Sequence, residues 1–236
     1  MTVSHQRSFV AILLGMLALP GSLLAVPIRF LPWDEAVAAR KIGLQNGKGV
    51  TAIADLHPDQ RSEPMDGASG EVPLQLVALD RSSPDGKPVL IQIKAIAGMR
   101  APLVLIFPDP KHPTGLRPVL IEDSTSSFGW GTMRFINVTG KALLIRHDQA
   151  TKALPESGPP VDVDPGGKAR NMSVQMVARD NLKALLYSAA WEHNPDVRKL
   201  IFVVPGADVR SGAVDFKVIP QDRRVLAAAA KTATGN

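Results

Sequence analysis

The chain has 236 residues, no cysteine, 20 Pro, 19 Gly and a formal charge of +5, and 45% of its residues are apolar. That length fits one large domain or two small ones, and the apolar fraction supports a packed core and excludes a globally disordered chain. Without cysteine there is no disulfide framework, no thiolate zinc site, no Cys nucleophile and no anchor built on a lipidated Cys.

The N-terminus reads as an address. Residues 1–8 are polar and carry Arg7, residues 9–19 are apolar, and Pro20-Gly21 breaks the segment before a small-residue end at Ala25. This is a three-part signal-peptide layout, too short to cross a membrane as a mature helix. Cleavage is expected after Ala25, although Leu23 stands where a small side chain is preferred. It removes one positive charge. No later window is long and apolar enough to cross a membrane, so the mature chain is expected to be soluble, periplasmic or extracellular. Its basic residues are interleaved with acids, and no basic block points to nucleic acid.

Residues 28–33 are apolar and extended. Residues 34–39 fit a helical turn, with acids leading and Arg40-Lys41 following. Residues 40–44 alternate, however, and Asn46-Gly47 is a hairpin turn ahead of residues 50–53, so a hairpin is favoured there. Residues 57–70 read as a loop. Strands are predicted at 72–79 and at 89–96, where Val89, Ile91 and Ile93 alternate with Gln92 and Lys94. Residues 103–107 form a continuous apolar run, as expected of a strand buried on both faces. Pro118 makes 116–121 an edge strand. Further strands are predicted at 132–138, 142–146, 161–163, 172–177, 200–204 and 214–219. Residues 185–191 are read as strand, because Tyr187, Ser188 and Trp191 fit it better than the rival helix over 181–190.

The polar stretch Asp123-Ser124-Thr125-Ser126-Ser127 marks a boundary between an N-terminal β region, 26–122, and a C-terminal β-sandwich region, 128–224. No internal repeat stands out. The Ala-rich tail, 225–236, is expected to be disordered. Short strands at this spacing, with no long helix between them, imply an all-β, antiparallel β-sandwich of immunoglobulin-like type, either one two-layer domain or two packed modules.

Chemistry is sparse. The five histidines show no metal-ligand spacing, and no metal or cofactor is implied. His57, between Asp55 and Asp59, is the leading candidate for acid–base catalysis, against a plain loop histidine beside solvated acids, and His147-Asp148 and Glu192-His193 read the same way. No GxSxG turn marks a serine nucleophile. Asp162 and Asp164 before Gly166-Gly167 resemble part of a calcium loop but lack the remaining ligands. The most distinctive segment is residues 128–137. Gly129 and Gly131 flank Trp130, whose indole can serve as a platform for a sugar face or a partner, with Arg134 beside it. The alternative is that Trp130 plugs the end of a sandwich. Trp191 reads as core.

Arg29-Phe30-Leu31-Pro32-Trp33-Asp34, Leu56-His57-Pro58, the segment 128–137 and Val218-Ile219-Pro220-Gln221-Asp222-Arg223-Arg224 together resemble uncharacterised exported bacterial proteins of verrucomicrobial type. That resemblance implies no activity. Phe135-Ile136-Asn137, then a short turn and Leu143-Leu144-Ile145, also resembles the opening of immunoglobulin-like modules, which bears on fold alone. The expectation is a non-enzymatic binding module of the cell envelope whose partner is an envelope protein or a glycan. The alternatives are a hydrolase using His57 and a structural subunit pairing through edge strands. Nothing in the residues fixes an oligomeric state.

Overall fold

The computed structural model describes residues 26–47, 49–67, 73–94, 98–207 and 212–234; the signal-like segment lies outside them. In the first half, strand β1 (Pro27–Pro32) leads into helix α1 (Glu35–Ala38). Then come β2 (Ile42–Gln45), β3 (Val50–Ala52), β4 (Met65–Asp66), β5 (Gln75–Ser82), β6 (Pro88–Gln92), β7 (Pro102–Pro108) and β8 (Leu116–Glu122). The second half holds β9 (Met133–Asn137), β10 (Leu143–His147), β11 (Ala150–Leu154), β12 (Val161–Val163), β13 (Arg170–Ala178), β14 (Leu185–His193), β15 (Val197–Pro205) and β16 (Val214–Asp222). Helix α2 (Arg223–Thr234) follows.

These strands make four sheets. In the first half the orders are β4-β1-β7-β8 and β3-β2-β5-β6; in the second they are β12-β9-β15-β16 and β11-β10-β13-β14. The second pair repeats the first strand for strand. Pairing is antiparallel except once in each half, where β1 runs parallel to β7 and β9 parallel to β15. The expected antiparallel fold is corrected at those two ladders. A parallel neighbour needs a long crossover, and here the intervening strands of the other sheet supply it.

The register repeats too. Arg29 lies beside Leu103, and Arg134 beside Leu200. Leu103 then faces Ile121 on β8, as Leu200 faces Ile219 on β16. Few residues are identical between the halves, because a β-face asks only for an apolar side chain at alternate positions. The traces in sequence are short: Gln75-Leu76-Val77-Ala78-Leu79-Asp80 on β5 against Gln175-Met176-Val177-Ala178-Arg179-Asp180 at β13, in the same register, and Arg29-Phe30 against Arg134-Phe135.

Three hydrophobic layers hold the molecule together. Ile28 and Phe30 of β1 and Val104 and Ile106 of β7 pack against Ile42, Leu44 and Leu76 of the facing sheet. Met133, Phe135, Ile201 and Val203 do the same against Leu143, Ile145, Met172, Val174 and Met176. The third layer lies between the halves, where Leu31, Leu103, Leu105 and Phe107 meet Phe128, Leu200, Phe202 and Ile219. Strands β7 and β15 are therefore covered on both faces, which is why they read as unbroken apolar runs.

Local differences from the sequence reading have physical causes. Helix α1 and the β2–β3 hairpin coexist: the Asp34 carboxylate caps the helix by accepting from the Val37 N–H at 2.8 Å. Edge strand β8 carries Pro118 as expected. The tail expected to be disordered is instead helical over Arg223–Thr234. Ala, Leu, Arg and Lys favour helix, and the Asp222 carboxylate accepts from the Arg224 N–H at 2.8 Å. Residues 223–232 are exposed, so no buried face marked it as part of the fold.

Candidate functional site

The polar boundary segment is pinned rather than loose. Asp123 is buried, and its carboxylate takes both Nε and Nη2 of Arg61, at 2.7 and 3.0 Å. It also accepts from Arg198 Nη2 at 3.3 Å. Arg198, 5% exposed, donates through Nη1 to the carbonyls of Asp123 and Phe128 at 2.8 and 3.0 Å, and through Nε to Gln221 Oε1 at 2.7 Å. Burial pushes its guanidinium down to about 10. Asp123 opposes that shift, and Arg61, Arg134 and Arg29 add to it. It stays protonated at neutral pH, so an excess of positive charge is enclosed here.

Phe128 is fully buried between two cations, with Arg134 Cζ 4.6 Å and Arg198 Cζ 4.9 Å from its ring centroid. Arg134 itself is 7% exposed. Its Nε and Nη2 hold Asp162 bidentately at 2.7 Å each, and it donates to the carbonyls of Glu122 and Ser127. These bonds place Arg134 inside the joint between the halves. Trp130 is half-buried, with Arg198 Cζ 5.3 Å from its ring centroid.

Trp130 forms part of the wall of a cavity of about 440 Å³ at this joint. Arg29, Arg61, Asp123, Arg198 and Pro64 line it as well. Residues from both halves contribute, and three guanidinium groups face it against one carboxylate. Sequence reasoning found Trp130 but missed Arg29, Arg61, Asp123 and Arg198. One signal was present: Arg29 sits inside an apolar strand, and a charge in such a place must find a partner or a ligand.

His57 lies exposed on a turn. Its Nδ1 accepts from the Asp59 N–H at 3.1 Å, while the Asp59 carboxylate turns to Lys217 at 3.8 Å. Asp55, with φ +50°, occupies the left-handed region next to it. The three residues share a loop, and no ion pair joins His57 to either acid among the described residues. Asp162 is held by Arg134, and the Asp164 carboxylate accepts from the Gly166 N–H, which accounts for the calcium-like spacing as ion pair and turn. Trp191 packs in the second core. It stacks on Phe135 at 6.0 Å and donates from Nε1 to the Tyr187 hydroxyl at 2.8 Å.

A second cavity, of about 780 Å³, opens at the end of the second half. Ala142, Leu143, Ala178, Leu186 and Val214 contribute its apolar lining, with Lys141, Arg179, Glu156 and Asp180 among the charged residues.

No protein-family model matches the chain, and no curated protein matches it.

Proposed function

We propose that the chain is an exported, non-enzymatic binding protein of the cell envelope, built from two immunoglobulin-like sandwiches, and that it takes a glycan or an envelope partner at the joint between them. The observation that carries this reading is the cavity of about 440 Å³ bordered by Trp130, with polar groups converging from both halves. A concave site with one aromatic wall and a few fixed polar groups is what small-ligand recognition requires. Sites at the meeting of two rigid units are also common. The repeated pair of facing four-stranded sheets supports the sandwich reading.

The test uses the chain from residue 26 onward. Wild type and Trp130→Phe are compared for tryptophan fluorescence change against a glycan panel and for capture of envelope proteins. A response lost in Trp130→Phe, with thermal stability kept, supports the site. A response that persists unchanged places the ligand elsewhere. Fractionation of the expressing cell, with N-terminal sequencing of the product, tests export and the expected start at Val26.

A further inference from the structure

Comparison of the two halves at one strand position identifies what the cavity lacks. Arg29 on β1 and Arg134 on β9 occupy the same register against their parallel neighbours, and each is followed by a core phenylalanine, Phe30 or Phe135. Beside β9, Asp162 on β12 stands directly opposite Arg134 and neutralises it. The matching strand beside β1 is β4, which pairs Met65 with Ile28. The residue preceding Met65 is Pro64, which has no charge and lines the cavity with Arg29. Arg29 makes one hydrogen bond, from Nη1 to the Ser62 carbonyl at 3.3 Å, and forms no ion pair among the described residues. A donor count extends the point. Arg61 spends Nε and Nη2 on Asp123, and its Nη1 makes no hydrogen bond among the described residues. Guanidinium groups carry five N–H donors each, so this cavity holds cationic donors in excess of its acceptors.

We propose that the joint cavity binds an acidic saccharide, with the oxyanion of its carboxylate or sulfate ester on Arg29 and Arg61 and its ring against Trp130. The proposal rests on the reading of this cavity as the ligand site. A planar fork of donors suits an oxyanion, and an indole suits a sugar face. Asp123 fixes Arg61 and Arg198 in place, so their remaining donors need little reorganisation to meet an oxyanion.

The experiment is isothermal titration calorimetry, with tryptophan fluorescence in parallel, on the chain from residue 26. The probes are glucuronate, glucose 6-sulfate, glucose and inorganic sulfate. Three proteins are compared: wild type, Arg29→Gln and Pro64→Asp. Pro64→Asp restores an acid near the place Asp162 holds in the second half, so it fills the arginine without removing it and guards against a folding defect in Arg29→Gln. The expected result is that one or both acidic sugars bind wild type and perturb its tryptophan fluorescence, with glucose at least about tenfold weaker, since a charge-assisted hydrogen bond is lost. Arg29→Gln is expected to weaken the acidic sugar by about tenfold or more, and Pro64→Asp, which only competes for the arginine, by about two- to fivefold. Which acidic sugar binds better separates carboxylate from sulfate. Glucose binding as tightly as glucuronate, with no response to either variant, overturns the charge assignment and leaves the ligand site standing. Inorganic sulfate binding as tightly as the sugars overturns the saccharide. No binding by any probe overturns the proposal.

Discussion

The two halves have one strand order and one register, yet they differ at two places. In the first half the β1–β2 connection, residues 33–41, forms α1, and Val37 drops into the core. In the second half the β9–β10 connection, residues 138–142, is a short turn that lines the cavity of about 780 Å³. The other difference is charge: Arg134 has Asp162, while Arg29 has no acid among the described residues. What the halves share is the strand register and the apolar side chains at alternate strand positions, so it carries the fold. What they do not share lies in loops and at the joint, where a change leaves the sheets intact.

The joint is where that comparison breaks most easily. Asp123 serves Arg61 and Arg198, whose side chains are 4% and 5% exposed, and Asp123→Asn leaves both without a carboxylate. The expected loss is about 3–5 kcal/mol, read as a fall in the urea midpoint. Asp162→Asn is expected to cost less, because the Asp162 side chain is 35% exposed and water can answer Arg134 in part. Equal losses would mean the joint is no more dependent on its ion pairs than the strand edge. Phe128→Ala follows at about 3–4 kcal/mol, since it removes a fully buried ring and both cation contacts on it. Val37→Ala is smaller, about 1–2 kcal/mol by the methyl groups lost from the first core. A loss near zero would show that α1 covers that core without sealing it.

These rankings rest on features of unequal visibility in the sequence. The alternation of Val89, Ile91 and Ile93 and the apolar runs of β7 and β15 are legible because side-chain period and burial are local properties. Pro118 on an edge is legible for the same reason. The repeated topology is harder to see, since it is written in pairings such as Arg29 beside Leu103, far apart in the chain, and its sequence traces are two short segments, 75–80 against 175–180 and 29–30 against 134–135. The joint is the hardest case: Arg61, Asp123 and Arg198 become one cluster only when both halves are stacked. Trp130 showed as prominent through its flanking glycines, but its neighbours did not. Helix α2 escaped because residues 223–232 are exposed, and it rests on helix propensity and the Asp222 carboxylate rather than on a buried face.

A pH effect separates the halves more gently. His147 is buried on β10, its Nε2 has no hydrogen-bond partner among the described residues, and burial holds its pKa below the ordinary 6.5, with Lys152 acting the same way. The ladder puts Asn46 at the matching place after β2. A base whose folded pKa is depressed stays neutral in the fold and takes a proton more readily when unfolded. Its contribution is full above pH 6.5 and is lost as pH falls below that value toward the folded pKa. The expected outcome is a stability that declines in mild acid, measured by urea midpoints from pH 7.5 to 5, and a flatter profile in His147→Leu. An unchanged slope in the variant assigns the acid sensitivity to other groups.

The smallest expected effect bears most directly on the missing acid. If the halves are equivalent at Arg29 and Arg134, a carboxylate at position 64 should couple to Arg29. Pro64→Asp alone does not isolate this, because losing a proline also frees the unfolded chain by several tenths of a kcal/mol. A double-mutant cycle with Arg29→Gln cancels that contribution and leaves the pair. Arg29 is half-buried and Pro64 exposed, so the coupling should be near that of a surface ion pair, about 0.2–1 kcal/mol. A coupling of that sign places the guanidinium within reach of position 64 and makes its freedom in the native chain a property of Pro64. A coupling of zero means that Arg29 points away from β4, and the equivalence of the two arginines ends at the backbone.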